Sequence, residues 1–132
     1  MSRKIGRGFV FVFFLLGGIC HFLLTGAFVS IMPDYVPASL HLPAVYVSGV
    51  FEIVGAAGIL IPALRRTAGN GLMALTVAVT PANVHMWLHA ERFPDFPPAI
   101  LALRLVLQLL LLYCIGWSTR DAPRRLRGDL HR

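Results

Sequence analysis

The sequence predicts an all-α fold, a bundle of four transmembrane helices with both termini in the cytoplasm. Three observations predict it. Of the 132 residues, 57% are hydrophobic and 14% are charged, against roughly 45–50% and 25% in soluble domains. The apolar residues gather into four segments, at about 8–31, 42–64, 71–89 and 98–117, each close to the ~20 residues that cross a bilayer core. The basic residues lie on one side of these segments. Arg3, Lys4 and Arg7 precede the first, Arg65 and Arg66 separate the second from the third, and Arg120, Arg124, Arg125, Arg127 and Arg132 follow the fourth. The opposite loops hold Asp34, Glu91 and Asp95 with Arg92 alone among basic residues. Cytoplasmic loops are the ones enriched in Lys and Arg, which fixes the expected orientation.

The net charge of +6 therefore reads as topology rather than as a nucleic-acid surface. The basic tail, 118–132, is expected to touch anionic lipid, at about 1 kcal/mol per basic residue near the surface. Together the four segments and the tail make a single membrane domain.

The first segment opens on a basic stretch, as a signal peptide does. Its apolar run continues past Phe28, beyond the ~7–15 residues of a signal core, and bulky Ile19 precedes Cys20 where a lipoprotein site needs a small residue. An uncleaved helix is expected. It should end before Met32-Pro33-Asp34, because proline lacks a donor and restricts its predecessor. The loop over 33–43 is too polar and proline-rich to span. The second segment ends near Pro62 and carries Gly49, Gly55, Ala56, Ala57 and Gly58, small residues that let helix backbones approach closely in lipid. The third contains Thr80-Pro81-Ala82-Asn83 and is expected to kink at Pro81. The fourth begins at Pro98, which suits a first helical turn. Tyr35, Tyr46, Trp87, Phe93 and Phe96 mark one interface and Tyr113 and Trp117 the other, as aromatic belts do.

Within these segments stand ionisable residues that hydrocarbon penalises. A charged side chain at the centre of a span costs about 2.5–3.5 kcal/mol on insertion scales, so Glu52, His85 and Arg104 should face one another or a wet cavity. Counting at about 1.5 Å per residue, Glu52, Arg104, His85, Asn83 and His21 all fall in the outer half. Ser48 lies one turn above Glu52, and Gln108 one turn below Arg104. The expected arrangement is a polar pocket open to the outer side with Glu52 and Arg104 as its ion pair. Arginine suits that role because its planar fork grips a carboxylate with two bonds. The plainer reading of the same residues is a structural lock that fixes helix order.

Other chemistries find little support. His85 and His89 are four apart and share a helix face, but Arg104 would oppose a cation, so no metal site is expected. The sequence has no Ser-His-Asp pattern, phosphate loop or paired carboxylate, and no catalytic residue is assigned. Cys20 and Cys114 differ in depth by about 10 Å, too far for a disulfide.

Several motifs in order resemble the DoxX-like family of small bacterial membrane proteins. They are Ile31-Met32-Pro33-Asp34-Tyr35-Val36-Pro37, the run Tyr46-Val47-Ser48-Gly49-Val50-Phe51-Glu52-Ile53-Val54-Gly55, Leu60-Ile61-Pro62 before Arg65-Arg66, Pro81-Ala82-Asn83-Val84-His85-Met86, and Leu103-Arg104-Leu105 with Gln108. The resemblance covers about 18–120, and His85 departs from it. It implies a four-helix membrane bundle. Its members are associated with redox complexes, after a thiosulfate:quinone oxidoreductase subunit, or with membrane-protein assembly. The expectation is an accessory or assembly protein that engages lipid or a partner membrane protein and carries no cofactor of its own. The alternatives are a quinone-binding subunit of a redox complex and, third, a small-solute or proton carrier that oligomerises.

Overall fold

In the computed structural model, which describes residues 1–120, those residues are helical without strands. The elements are α1 (Arg3–Leu23), α2 (Thr25–Ser30), α3 (Ala38–Leu60), α4 (Arg65–Ala78), α5 (Thr80–Leu88), a 3₁₀ turn (Ala90–Arg92) and α6 (Pro98–Thr119). Four stretches are long and apolar enough to cross a membrane: Arg3–Leu23, Ala38–Leu60, Arg65–Leu88 and Pro98–Thr119. The chain is thus a multi-pass membrane protein by length and composition. From residue 121 onward the expected basic tail lies outside the described residues.

The helices form a four-cornered ring in which α1 packs on α3, α3 on α4, α4 on α6 and α6 back on α1. The first and last spans therefore meet at one end of the bundle. There the Arg3 guanidinium donates to the carbonyl of Arg120. Two diagonals result, and α3 and α6, across one of them, are not packed neighbours. Val10 and Phe14 of α1, Ala56 and Ile59 of α3, Leu72 of α4, and Leu111 and Ile115 of α6 make the buried apolar core. All lie toward the termini, while buried Val45, Met86 and Leu101 continue the apolar packing in the half near the loops. Large apolar side chains such as Phe13, Phe51, Val54, Val106 and Leu109 point outward, as they must if the surrounding medium is hydrocarbon rather than water.

Helix ends differ from the sequence reading for local reasons. The first span begins five residues earlier than expected because Ser2 caps it, its hydroxyl accepting from the Ile5 amide at 3.3 Å. It also breaks at Leu24. A break frees carbonyls that lipid cannot satisfy, and the Thr25 hydroxyl donates to the carbonyls of His21 and Phe22. The second span starts at Ala38, inside the expected loop, and Pro43 does not stop it. The carbonyl that Pro43 leaves without a donor belongs to exposed Ser39 in the first turn, where water can serve it. The third span starts at Arg65 rather than near 71, and Gly69 within it packs against Thr119. It is interrupted at Val79, just before Pro81. The fourth runs two residues further than expected, to Thr119.

The α1–α3 seam is the closest approach. A Cβ on Gly18 would lie 2.8 Å from the Gly49 carbonyl oxygen and 2.7 Å from Ile53 Cγ1. One on Gly49 would lie 2.8 Å from His21 Cβ. Small residues at such crossings replace side-chain packing with backbone contact. Gly49→Val should therefore lower stability by about 1–3 kcal/mol through overpacking. Gly8→Ala, where a Cβ meets open space, should be neutral or mildly stabilising. Reversible unfolding in mixed micelles distinguishes the two, and an undisturbed Gly49→Val protein would disprove the seam.

Candidate functional site

Interruption of the third span and the polar residues of the fourth explain each other. Pro81 has no N–H, and the break at Val79 detaches α5 from α4, so carbonyls near the break lose their helical donors. The Gln108 amide, from α6, donates to the Thr76 carbonyl at 3.0 Å and to the Thr80 hydroxyl. The Thr80 hydroxyl also donates to Thr76 O at 3.1 Å. The chain continues upward: Asn83 Nδ2 donates to Gln108 Oε1 at 2.6 Å, and Arg104 Nη2 donates to Asn83 Oδ1 at 3.1 Å. The other arm of the fork, Nη1, lies 3.2 Å from Met86 Sδ, a weak acceptor. Arg104 thus ends a ladder of neutral acceptors, with no carboxylate on it among the described residues.

Glu52 is elsewhere. Its Oε2 lies 3.5 Å from His21 Nδ1, and both side chains are about nine-tenths buried, at 13% and 9% exposure. Neither atom makes a hydrogen bond among the described residues. Glu52 lies over Gly17, where a Cβ would come within 2.8 Å of the carboxylate, so the seam makes room for the charge. The His21 ring in turn stacks on Phe28, centroid to centroid 4.0 Å.

The expected Glu52–Arg104 ion pair is therefore corrected. Glu52 stands 14 residues from the loop end of α3 and eight from its inner end, deeper than expected, and α3 and α6 stand on a diagonal of the ring, so each charge finds its partner on an adjacent helix. Of the seven expected site residues, Arg104, Asn83 and Gln108 form one network, and His21 and Glu52 another. His85 joins neither. It is half-buried on α5, with its ring 4.4 Å from that of His89, whose Nδ1 donates to the His85 carbonyl. Ser48 is half-buried and makes no side-chain hydrogen bond among the described residues. No group of three His, Cys, Asp or Glu is placed to hold a metal among those residues. Thr76 and Thr80 escaped the sequence reading. Their signal was two hydroxyls one turn apart just before a proline, the residues that re-satisfy a broken helix in lipid.

At the loop end a cavity of about 530 Å³ opens beside Arg104. Leu24, Ala27, Phe28 and Ile31 form one wall, Phe93 and Phe96 another, and Arg104 and Met86 reach it from α6 and α5. The break of α1 at Leu24 and the start of α2 lie at its wall. Across its rim Arg92 Nη1 donates to Asp34 Oδ2 at 2.6 Å, tying the loop after α2 to the turn after α5. That hydrogen bond and the Arg92 charge hold the Asp34 carboxyl below its ordinary value of 3.8.

Residues 10–120 match the model of a family described as a domain of unknown function, DUF8561. No curated protein and no solved structure matches the chain.

Two predictions follow from these partners. In double-mutant cycles His21 and Glu52 should couple by 0.5 kcal/mol or more, roughly the lower bound for contacting residues, while Glu52 and Arg104 should add within about 0.5 kcal/mol. Coupling of the second pair alone would restore the diagonal ion pair. The Asp34 carboxyl titrates below the usual aspartate range, so the tie to Arg92 is fully present above that range and is lost as pH falls through the lowered value. In Arg92→Gln the Asp34 midpoint, followed by carboxyl NMR, should move up. An unmoved midpoint would show that the rim tie does not persist.

Proposed function

Starting from the chain's membership of the DUF8561 family, we propose that it is a membrane-embedded binding protein without catalytic activity of its own. It holds the polar head of a lipophilic molecule at Arg104 and serves as an accessory to a partner membrane protein. The observation that carries this reading is Arg104 itself. It is a permanent cation at membrane depth whose fork meets an amide oxygen and a thioether, and it lines an otherwise largely apolar cavity. Arginine at that depth costs several kcal/mol unless something compensates it. Neutral acceptors compensate in part, and an acidic or carbonyl oxygen from a ligand would complete the fork. The walls Leu24, Phe28, Phe93 and Phe96 suit an apolar body that enters from lipid.

The charge asymmetry supports termini in the cytoplasm and a groove facing the outer side of a bacterial inner membrane. The motif resemblance to DoxX-like proteins supports a place beside a redox or assembly complex.

A second reading has its own support. Phe28 lines the cavity and its ring packs against that of His21, so the His21–Glu52 pair stands close to the groove. A quinone fits this setting: Arg104 would hold one carbonyl, and His21 with Glu52 would hold or accept a proton. A quinone supplies two-electron redox chemistry, and the electrons would come from a partner.

The experiment is extraction and mass spectrometry of small molecules from protein purified in mild detergent. Wild type should carry a molecule with an acid or carbonyl head, Arg104→Ala should lose it while remaining folded, and Arg104→Lys should retain less of it. An empty wild type would leave Arg104 as a structural lock, and a folded Arg104→Ala that keeps the molecule would place the anchor elsewhere.

A further inference from the structure

A second groove lies at the opposite end of the bundle, beside the termini. It has a volume of about 470 Å³ and is walled by Met73 of α4 and by Leu112, Tyr113, Gly116 and Trp117 of α6, with Arg3 and Arg120 at its mouth. The Arg3 guanidinium is fixed there rather than free to wander. Its Cζ stands 5.8 Å from the centre of the Trp117 ring, and Nη1 donates to the Arg120 carbonyl. A guanidinium has five N–H donors, and Nη1 to the Arg120 carbonyl is the hydrogen bond Arg3 makes among the described residues. Arg120 is exposed and adds a second cation. The deeper wall is apolar, and Gly116 leaves its floor clear: a Cβ there would touch only Met73, at 3.6 Å.

From this pairing we propose that the groove is a binding site for one anionic phospholipid, with the phosphodiester at Arg3 and Arg120 and an acyl chain along Leu112, Gly116 and Met73. Charge complementarity selects the head, and the position of Tyr113 and Trp117 at the membrane interface selects a lipid over a soluble anion. Tyr113 is 72% exposed on the outside of the bundle, where acyl chains are the surrounding medium. A free phosphate would satisfy the two arginines and leave the apolar wall unused. The site is independent of the reading given for Arg104, since no residue is shared between the two grooves.

Trp117 lies in the site, which makes it the reporter. The full chain carrying Trp87→Phe retains Trp117 as its tryptophan and is placed in bilayers containing a small fraction of lipid with brominated acyl chains. Brominated phosphatidylglycerol should quench Trp117 more strongly than brominated phosphatidylcholine at equal fraction, with an apparent preference of roughly fivefold per basic residue engaged. Arg3→Gln with Arg120→Gln should abolish the preference. Lys4→Gln with Arg66→Gln removes the same charge from exposed positions outside the groove and should keep it. Equal quenching by the two lipids in the Trp87→Phe protein overturns the site without recourse to any arginine variant. A preference lost equally in both double variants also overturns it, because it would then reflect diffuse surface charge. Inorganic phosphate at millimolar concentration should leave the preference intact, and its loss would assign the groove to soluble anions instead.

Discussion

A backbone carbonyl released inside hydrocarbon has no water to turn to, and that constraint organises most of this molecule. Each place where a helix stops or breaks is met by a side chain brought from elsewhere. The Thr25 hydroxyl covers His21 and Phe22 where α1 gives way to α2. Gln108 and Thr80 cover Thr76 beside the Pro81 break. Arg65 Nε donates to the Ile59 carbonyl as α3 ends, and Arg7 Nη1 donates to the Ser118 carbonyl near the end of α6. Basic residues that the charge pattern marks as topological signals thus also cap helix C-termini, where a cation meets the negative end of the dipole.

That accounting separates the polar residues that the fold requires from those it does not. Gln108 is required, because Thr76 O has lost its helical donor. Asn83 extends the network and orients its amide through Gln108. Arg104 adds nothing to the satisfaction of the backbone. It is the point where a structural network reaches the cavity, so the same ladder that locks α5 to α6 also fixes the orientation of a cation facing outward. The structural and the binding readings consequently divide along one chain of hydrogen bonds and do not compete for the same residue.

How far the sequence carried this depends on which quantity is asked of it. Four spans were legible because hydropathy sums over some twenty residues and local exceptions average out. Depth was legible only where the helix end was: Asn83 and Arg104 lie five and six residues from the loop ends of their spans, whereas Glu52 lies 14 from the loop end of a span that begins at Ala38. Azimuth was not. Which helices adjoin depends on the packing of whole faces, and even the small residues of the second span divide between two neighbours, Gly49 against α1 and Gly55 and Gly58 against α4. Glu52 and Arg104 matched in charge and still stand on a diagonal. Helix ends went astray where a local cap set them, as Ser2 does for the first span, and where a helix accepted a proline, as at Pro43. His85 was placed in the site because a histidine in an apolar segment stands out, but its ring turns toward His89 instead.

The separation of the charges has a consequence for what the groove can accept. His21 and Glu52 are buried together, and burial penalises a lone charge far more than a paired or neutral group. The favoured combinations, carboxylate with imidazolium or carboxylic acid with imidazole, both sum to zero. Had Glu52 reached Arg104, the two charges would have cancelled. With Glu52 committed to the α1–α3 seam, the α5–α6 side keeps one positive charge that no deprotonation can remove, since guanidinium stays charged at any accessible pH. Only the second arrangement leaves the interior incomplete, and it is incomplete at the wall of the cavity.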